Sequence, residues 1–293
     1  MFNGKMKAIT FSYDDATLQD KRLIEILNRY HLKATFNVNS GLLGTEKKLE
    51  REGKMIDWTK FQETEIAKIY QGHEVAAHTL RHKSLPLLSD EDVVMHVEED
   101  RKKLSELVGY EVVGMAYPGG GVNHDDRVVD LIKNELKRGR KLINTHCYPY
   151  YFDFPYGWNT LKMVCEDDGA LTDNDEETWG IEAQMWTEYV PDMKKLEFLT
   201  FPRLGAMAEN AWAEKGYPSF ATFLHKAKDY FKLLDVYKVG YAKIKKACPS
   251  FIYKHASSIW FKRRVFHWQG LHNLIDDAKA KKEAEKYAQN RKG

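Results

Sequence analysis

Apolar and polar positions in the first half of the chain follow two alternating periods. Apolar runs rich in β-branched and aromatic residues predict four strands, at residues 6–15, 33–39, 72–82 and 112–118. Apolar residues at helical spacing among charges predict helices between and after them, at residues 18–30, 57–71, 89–108 and 125–137. Regular β–α alternation is typical of parallel strands with helices outside, so we predict an α/β fold.

The pattern changes after residue 137. We predict two further strands, a loop-rich acidic stretch at residues 158–175, and helices at 194–213 (interrupted by Pro202) and 220–234. The predicted architecture is a (β/α) barrel-type fold, complete, incomplete or distorted, with a front half and a TIM-barrel-like back half of different pattern and a helical C-terminus. A closed barrel needs more than these six strands, so weak strands complete it, the sheet stays open, or a partner closes it. The predicted domains are 1–137, 138–245 and 246–293.

Composition narrows the function classes. The 293 residues are 43% hydrophobic and 30% charged, and a formal net charge of +2 predicts no nucleic-acid partner. Three cysteines without a CxxC pair fit a reducing compartment. No stretch resembles a signal peptide or a membrane span, which predicts a soluble cytoplasmic protein without a membrane partner, although a removed signal would leave the same sequence. Oligomerisation stays open.

Polar residues capable of chemistry follow the predicted strands. Asp14 and Asp15 end the first strand, His78 and His82 end the third, and Tyr117 lies at the end of the fourth. The carboxyl ends of parallel strands meet at one edge, where sites of such folds lie. Two adjacent carboxylates repel each other unless a cation is near, and two histidines with one carboxylate leave coordination positions open, as hydrolytic metal sites do. Alternatively, the histidines are two unrelated side chains near a strand end.

Three segments, residues 10–15, 78–82 and 115–119, resemble the motifs of the NodB-type polysaccharide deacetylases of carbohydrate esterase family 4. The resemblance covers residues 6–135. It implies that Asp14 is the catalytic base, and that the backbone amide of Tyr117 contributes to oxyanion binding. It also implies a divalent metal cofactor, usually zinc, held by Asp15, His78 and His82. Two departures are Ala16, where a glycine is usual, and the absence of the arginine that often precedes the third motif.

Residues 138–242 resemble instead the last part of the catalytic barrel of family 20 glycoside hydrolases, the β-N-acetylhexosaminidases. The resemblance rests on residues 140–157, 179–189 and 201–212. It implies that Tyr151, Asp153, Trp186 and Glu188 line a pocket for an N-acetylated sugar; alternatively, the aromatic ones are packing residues. The adjacent Asp–Glu pair of that family comes from an earlier strand that this chain lacks, so glycosidase activity is not expected.

Together these features predict a metal-dependent hydrolase that removes N-acetyl groups from an amino sugar or polysaccharide. His146, at a predicted strand end, is the first candidate for the general acid, ahead of His267 and His272. The alternatives are a non-catalytic N-acetylhexosamine-binding protein and a chimeric chain without turnover.

Overall fold

The computed structural model of the protein describes residues 9–51, 53–119, 123–136, 142–144, 147–157, 159–167, 178–186, 190–212 and 219–249. The predictions for His146, Glu188, His267 and His272, and for nearly all of the C-terminal extension, lie outside these residues. Contacts between Cα atoms divide the chain into two compact units, the first including residues 9–50 and 55–136 and the second residues 142–249. Arg51, Gly53 and Lys54 group with the second unit. The predicted domain bounds stay predictions.

A parallel sheet of order β1–β2–β5 forms the centre of the first unit. Its strands are β1 (Phe11–Asp14), β2 (Ala34–Val38) and β5 (Glu74–Ala77). In this register Asp14 lies opposite Asn37, and Val38 lies opposite Ala77. Three of the predicted strands are therefore confirmed as parallel neighbours, and their carboxyl ends meet at one edge.

The fourth predicted strand is reduced to a single parallel bridge between Met115 and Ala77. Two backbone hydrogen bonds hold it, from the Ala77 amide to the Gly114 carbonyl at 2.8 Å and from the Ala116 amide to the Ala77 carbonyl at 3.0 Å. A Cβ at Gly114 would lie 2.8 Å from the Cβ of Ala76. The segment therefore lies beside β5 as predicted, at a distance that only a glycine permits.

The described residues of the first unit form four α-helices: α1 (Asp20–Arg29), α2 (Ile66–Ile69), α3 (Asp90–Val108) and α4 (Asp126–Leu136). The long α3 matches its prediction: the Ser89 side chain caps its first turn by accepting from the Asp92 amide, and Gly109 ends it in a left-handed conformation (φ 75°). Apolar residues of α1, α2 and α3 pack with those of the sheet, around Leu27, Phe36 and Leu104. The α4 residue Val128 belongs to a separate cluster with Val93 and Val97 of α3.

The helix predicted at residues 57–71 is wrong for most of its length. An unpredicted two-stranded sheet of β3 (Lys48–Arg51) and β4 (Lys54–Asp57) ends at its first residue, and only a 3₁₀ turn and the short α2 are helical. Backbone hydrogen bonds hold the intervening residues extended, from Lys60 to Thr45 at 2.9 Å and from Phe61 to Ala16 at 3.0 Å. Tertiary pairing therefore overrides the helical spacing of the apolar residues.

The second unit contains β6 (Leu142–Asn144) and β7 (Thr178–Ile181), which pair in parallel. Its helices are α5 (Cys147–Tyr150), α6 (Leu161–Glu166), α7 (Met193–Thr200), α8 (Arg203–Trp212), α9 (Phe220–Val236) and α10 (Ile244–Ala247). The predicted helices of this half are confirmed, including the interruption at Pro202. The loop predicted at 158–175 is wrong where α6 forms, because Thr160 caps that helix and buried Leu161 and Val164 anchor it.

The α/β class is confirmed, whereas barrel closure is not. Among the described residues the strands form three separate sheets, of three, two and two strands. Within the same residues, no helix is both long and apolar enough to cross a membrane.

Candidate metal centre and active site

The turn after β1 brings both carboxylates to the edge of the sheet. Asp15 and Ala16 adopt positive φ angles of 81° and 52°, and the Asp15 amide donates to the Asn37 carbonyl at 2.9 Å. A left-handed backbone costs a residue with a Cβ roughly 1 kcal/mol. Ala16, the departure from the family pattern, therefore occupies a position whose backbone favours the usual glycine, although its methyl group is buried in the core.

The loop after β5 brings the two histidines to the same edge. Thr79 and His82 also have positive φ angles, of 63° and 53°. The His78 and His82 rings lie with centroids 5.0 Å apart at 71° to each other. One carboxylate oxygen of Asp15 and one ring nitrogen from each histidine lie within 4.8 Å of one another. The structure thus brings together the three residues predicted as metal ligands.

Backbone contacts fix the orientation of the His78 ring. This side chain is 1% exposed, and its Nδ1 donates to the Ala116 carbonyl at 3.0 Å. Because Nδ1 carries the proton, Nε2 keeps its lone pair and can coordinate a metal. The carbonyl comes from the segment that lies beside β5, so the third motif orients a ligand supplied by the second.

Asp14 is held with one oxygen bound and the other directed at the histidine. The side-chain amide Nδ2 of Asn37 donates to Asp14 Oδ1 at 2.7 Å and to Ser12 Oγ at 2.8 Å, while Asp14 Oδ2 lies 3.6 Å from His78 Nε2. A carboxylate next to a metal ligand, with one free oxygen, is suited to accept a proton.

A buried carboxylate that the sequence patterns did not single out lies beneath the histidines. Asp100 of α3 is fully buried and accepts hydrogen bonds from the Ser40 amide at 2.7 Å, the Ser40 hydroxyl at 2.6 Å and the His78 amide at 2.9 Å. Burial raises the pKa of Asp100 to about 6, against the opposing effect of these donors. Asp100 interrupts the buried stripe of Val93, Val97 and Leu104, and an acid on an apolar helical stripe was the available signal.

Lys60 is a second residue that sequence reasoning missed. Its Nζ lies 3.4 Å from Asp15 Oδ2, and the residue is 7% exposed. Burial lowers the pKa of Lys60, while the nearby Asp15 carboxylate raises it. Burial also lowers the pKa of His82. On a carboxyl group burial has the opposite effect, and it raises the pKa of Asp20 to about 7. No sequence pattern near Lys60 pointed to it.

Tyr117 lies directly after the carbonyl that orients His78. It is half-buried, and its ring stacks on that of His124 with centroids 4.9 Å apart. Tyr117 is thus next in the chain to the residue that contacts the candidate metal ligand His78, and its predicted part in oxyanion binding stays a prediction.

The predicted sugar-binding residues belong to the second unit. Tyr151 pairs with Gln184 through a parallel bridge, and Trp186 follows two residues later, half-buried. Asp153 is 2% exposed and interacts electrostatically with the fully buried guanidinium of Arg203. Tyr151 and the segment containing Trp186 are therefore neighbours, whereas the burial of Asp153 beside Arg203 supplies it with a structural partner.

The donor set fits a divalent transition metal. Two imidazoles and one carboxylate are the ligand types of catalytic zinc sites with open positions, and the hydrogen bond at His78 Nδ1 orients that ligand.

Two family models match the chain. The polysaccharide deacetylase model matches residues 2–137, and the model of the glycosyl hydrolase family 20 catalytic domain matches residues 124–215. Among curated proteins, a β-hexosaminidase of Akkermansia muciniphila is 29% identical over an alignment covering 40% of this chain and 27% of that protein. The chain thus spans about a quarter of the length of this relative.

Three solved structures illustrate the similarity in three dimensions. A Streptococcus pyogenes deacetylase in complex with acetate is 20% identical, covering 48% of this chain and 59% of that one, with a TM-score of 0.40. A polysaccharide deacetylase from Bacillus cereus is 19% identical, covering 46% and 39%, with a TM-score of 0.35. A Xyl-CE4 domain of a multidomain xylanase from the hindgut metagenome of Trinervitermes trinervoides is 13% identical, covering 76% and 91%, with a TM-score of 0.40.

These TM-scores are too low to support a fold assignment. The assignment therefore rests on the strand order of the main sheet, and both family resemblances rest on the family models. The two matches overlap at residues 124–137. The chain therefore joins a segment that matches the polysaccharide deacetylase model to a segment that matches the model of the glycosyl hydrolase family 20 catalytic domain.

Proposed function

We propose that the protein is a metal-dependent carbohydrate N-deacetylase. The observation that supports it best is the geometry at the strand ends: ligand atoms of Asp15, His78 and His82 lie within 4.8 Å of one another, and Asp14 Oδ2 lies 3.6 Å from His78 Nε2. The family match over residues 2–137 supports the reaction class.

A bound divalent ion would act as a Lewis acid on the acetyl carbonyl and lower the pKa of a water molecule. Asp14 would accept the proton of the attacking water at Oδ2, because Asn37 already occupies Oδ1. The backbone amide of Tyr117 would donate to the oxygen that becomes negatively charged. The C–N bond then breaks, acetate leaves, and the amine nitrogen receives a proton, for which His146 is our candidate donor.

The substrate we propose is an N-acetylhexosamine within an oligosaccharide or polysaccharide. Residues 124–215 match the model of the glycosyl hydrolase family 20 catalytic domain, and the named relative is a β-hexosaminidase. Tyr151, Trp186 and Glu188 would contribute an aromatic face and a carboxylate to sugar recognition, whereas Asp153 is 2% exposed and has Arg203 as its partner.

The test is acetate release from chitooligosaccharides by the metal-loaded protein, with EDTA-treated protein as the blank. Wild type should release acetate only with a divalent metal, and Asp14→Asn should lower kcat by about 10²–10⁴-fold while retaining the metal, because it removes the base and keeps the shape. No acetate with zinc, cobalt or nickel would contradict the proposal. Saccharide affinity equal in wild type and Asp14→Asn, without acetate, would indicate a binding protein instead.

A further inference from the structure

A buried lysine lies against one of the candidate metal ligands. We propose that Lys60 is the resident counter-cation of Asp15 and that it lowers the affinity of the centre for a divalent metal ion. The inference rests on the proposed function, because it concerns the same metal ligands. It adds a residue outside all three deacetylase motifs.

The fold holds Lys60 in place on the backbone and at the side chain. Its amide donates to the Thr45 carbonyl at 2.9 Å, and the residue forms an antiparallel bridge with Thr17, two positions beyond Asp15. Its ammonium lies 5.4 Å from the centroid of the Trp58 ring and 3.4 Å from Asp15 Oδ2. With 7% of its surface exposed, the residue is not a mobile surface lysine.

The position of Lys60 offsets the electrostatic repulsion between the carboxylates of Asp14 and Asp15. Two adjacent carboxylates near buried strand ends need a nearby positive charge. Lys60 supplies one by itself, 3.4 Å from Asp15 Oδ2, before any metal arrives.

The same charge opposes metal binding. An ammonium in contact with a ligand carboxylate competes for that oxygen and repels a divalent ion at short range, where the effective dielectric constant is far below that of water. A neutral side chain of similar length would remove the competition and the repulsion while retaining most of the packing against Trp58.

The experiment measures zinc affinity of the metal-free full-length chain by competition with a chromophoric chelator. Lys60→Met should bind zinc at least about tenfold more tightly than wild type, which corresponds to about 1.4 kcal/mol. Lys60→Arg keeps the charge and should stay within about threefold of wild type. Lys47→Met is the matched control: Lys47 lies 4.9 Å from the centroid of the same Trp58 ring, and its removal should leave zinc affinity unchanged.

The melting temperature of the variants is a second measurement, and it does not depend on enzyme activity. In EDTA, Lys60→Met should melt at a lower temperature than wild type because Asp15 has lost its cation, and saturating zinc should raise its melting temperature more than that of wild type. Lys60→Gln, a smaller neutral variant, is measured in parallel and decides the outcome if Lys60→Met does not fold.

The outcomes separate this inference from the proposed function. Zinc affinity that is equal or weaker in a folded neutral variant overturns the inference and leaves the deacetylase proposal standing. Zinc binding by Lys60→Met but not by wild type supports the inference and contradicts the proposed metal enzyme. No zinc binding by any variant overturns both.

Discussion

Each unit of the chain buries a basic side chain, and the two have different partners. Lys60 in the first unit contacts the carboxylate of Asp15, which offers a ligand atom to a candidate metal centre. Arg203 in the second unit, fully buried, donates to backbone carbonyls, stacks on aromatic rings and interacts electrostatically with Asp153. The carbonyls belong to Phe152, Phe154, Asn159 and Leu199.

The difference separates a reactive site from a structural one. A cation saturated by main-chain carbonyls ties several chain segments together and leaves no group for a ligand. A cation facing a carboxylate, with imidazole nitrogens nearby, can be exchanged for another cation. Buried charge alone therefore does not mark a functional site; the chemistry of its partners does.

The largest effect is expected when His78 is removed, and another buried histidine of the first unit, His73, provides the control. His78→Ala should lower zinc affinity at least about a thousandfold and abolish acetate release, because the best-oriented ligand is removed. His73→Gln is the matched control, since His73 is also buried but contacts only the Ala34 amide and Asn28 through its ring nitrogens, each at 3.2 Å. Metal analysis of the purified variants gives the measurement, and zinc retained by His78→Ala would place the centre elsewhere.

The second-largest effect is expected when the guanidinium of Arg203 is removed. Arg203→Met should lower the free energy of unfolding of the second unit by about 3–5 kcal/mol, because buried carbonyls of four residues lose their donor. Urea denaturation followed by tryptophan fluorescence measures the loss. Zinc affinity should stay within about threefold of wild type, since the three candidate ligands all belong to the first unit; a large loss of affinity would erase the contrast between the two cations.

The smallest expected effect is a pH dependence in the first unit. Burial raises the pKa of Asp20 from 3.8 to about 7, although the Tyr70 hydroxyl donates to it at 2.7 Å. The folded state therefore binds this proton more tightly than the unfolded state, so the stabilisation is complete below pH 3.8 and is lost as pH rises through about 7.

In EDTA, wild type should lose about 2 kcal/mol more stability than Asp20→Asn between pH 5 and pH 8, as measured by urea denaturation at each pH. Asp92 is exposed, so Asp92→Asn should lose as much stability as wild type between these two pH values. Identical pH profiles for Asp20→Asn and wild type would show that Asp20 is already ionised in the folded protein.

Local periodicity predicted much of the fold. The three strands of the main sheet, the capped α3 and the helices on either side of Pro202 follow from spacing and capping residues close in sequence. It failed at residues 57–61, where hydrogen bonds to Thr45 and Ala16 hold the segment extended, and at α6, a helix of only six residues (Leu161–Glu166). Partners distant in sequence leave no periodic signal.

By itself, the sequence determined which residues stand at the strand ends. A parallel β–α pattern brings the carboxyl ends of strands to one edge, so the pattern alone groups Asp14, Asp15, His78 and His82. Tertiary structure alone decided that Ala116 orients His78, that Asp100 lies beneath it, and that Lys60 contacts Asp15. These contacts join residues 22 to 45 positions apart through backbone groups and buried side chains, whose pairing depends on packing rather than on residue type.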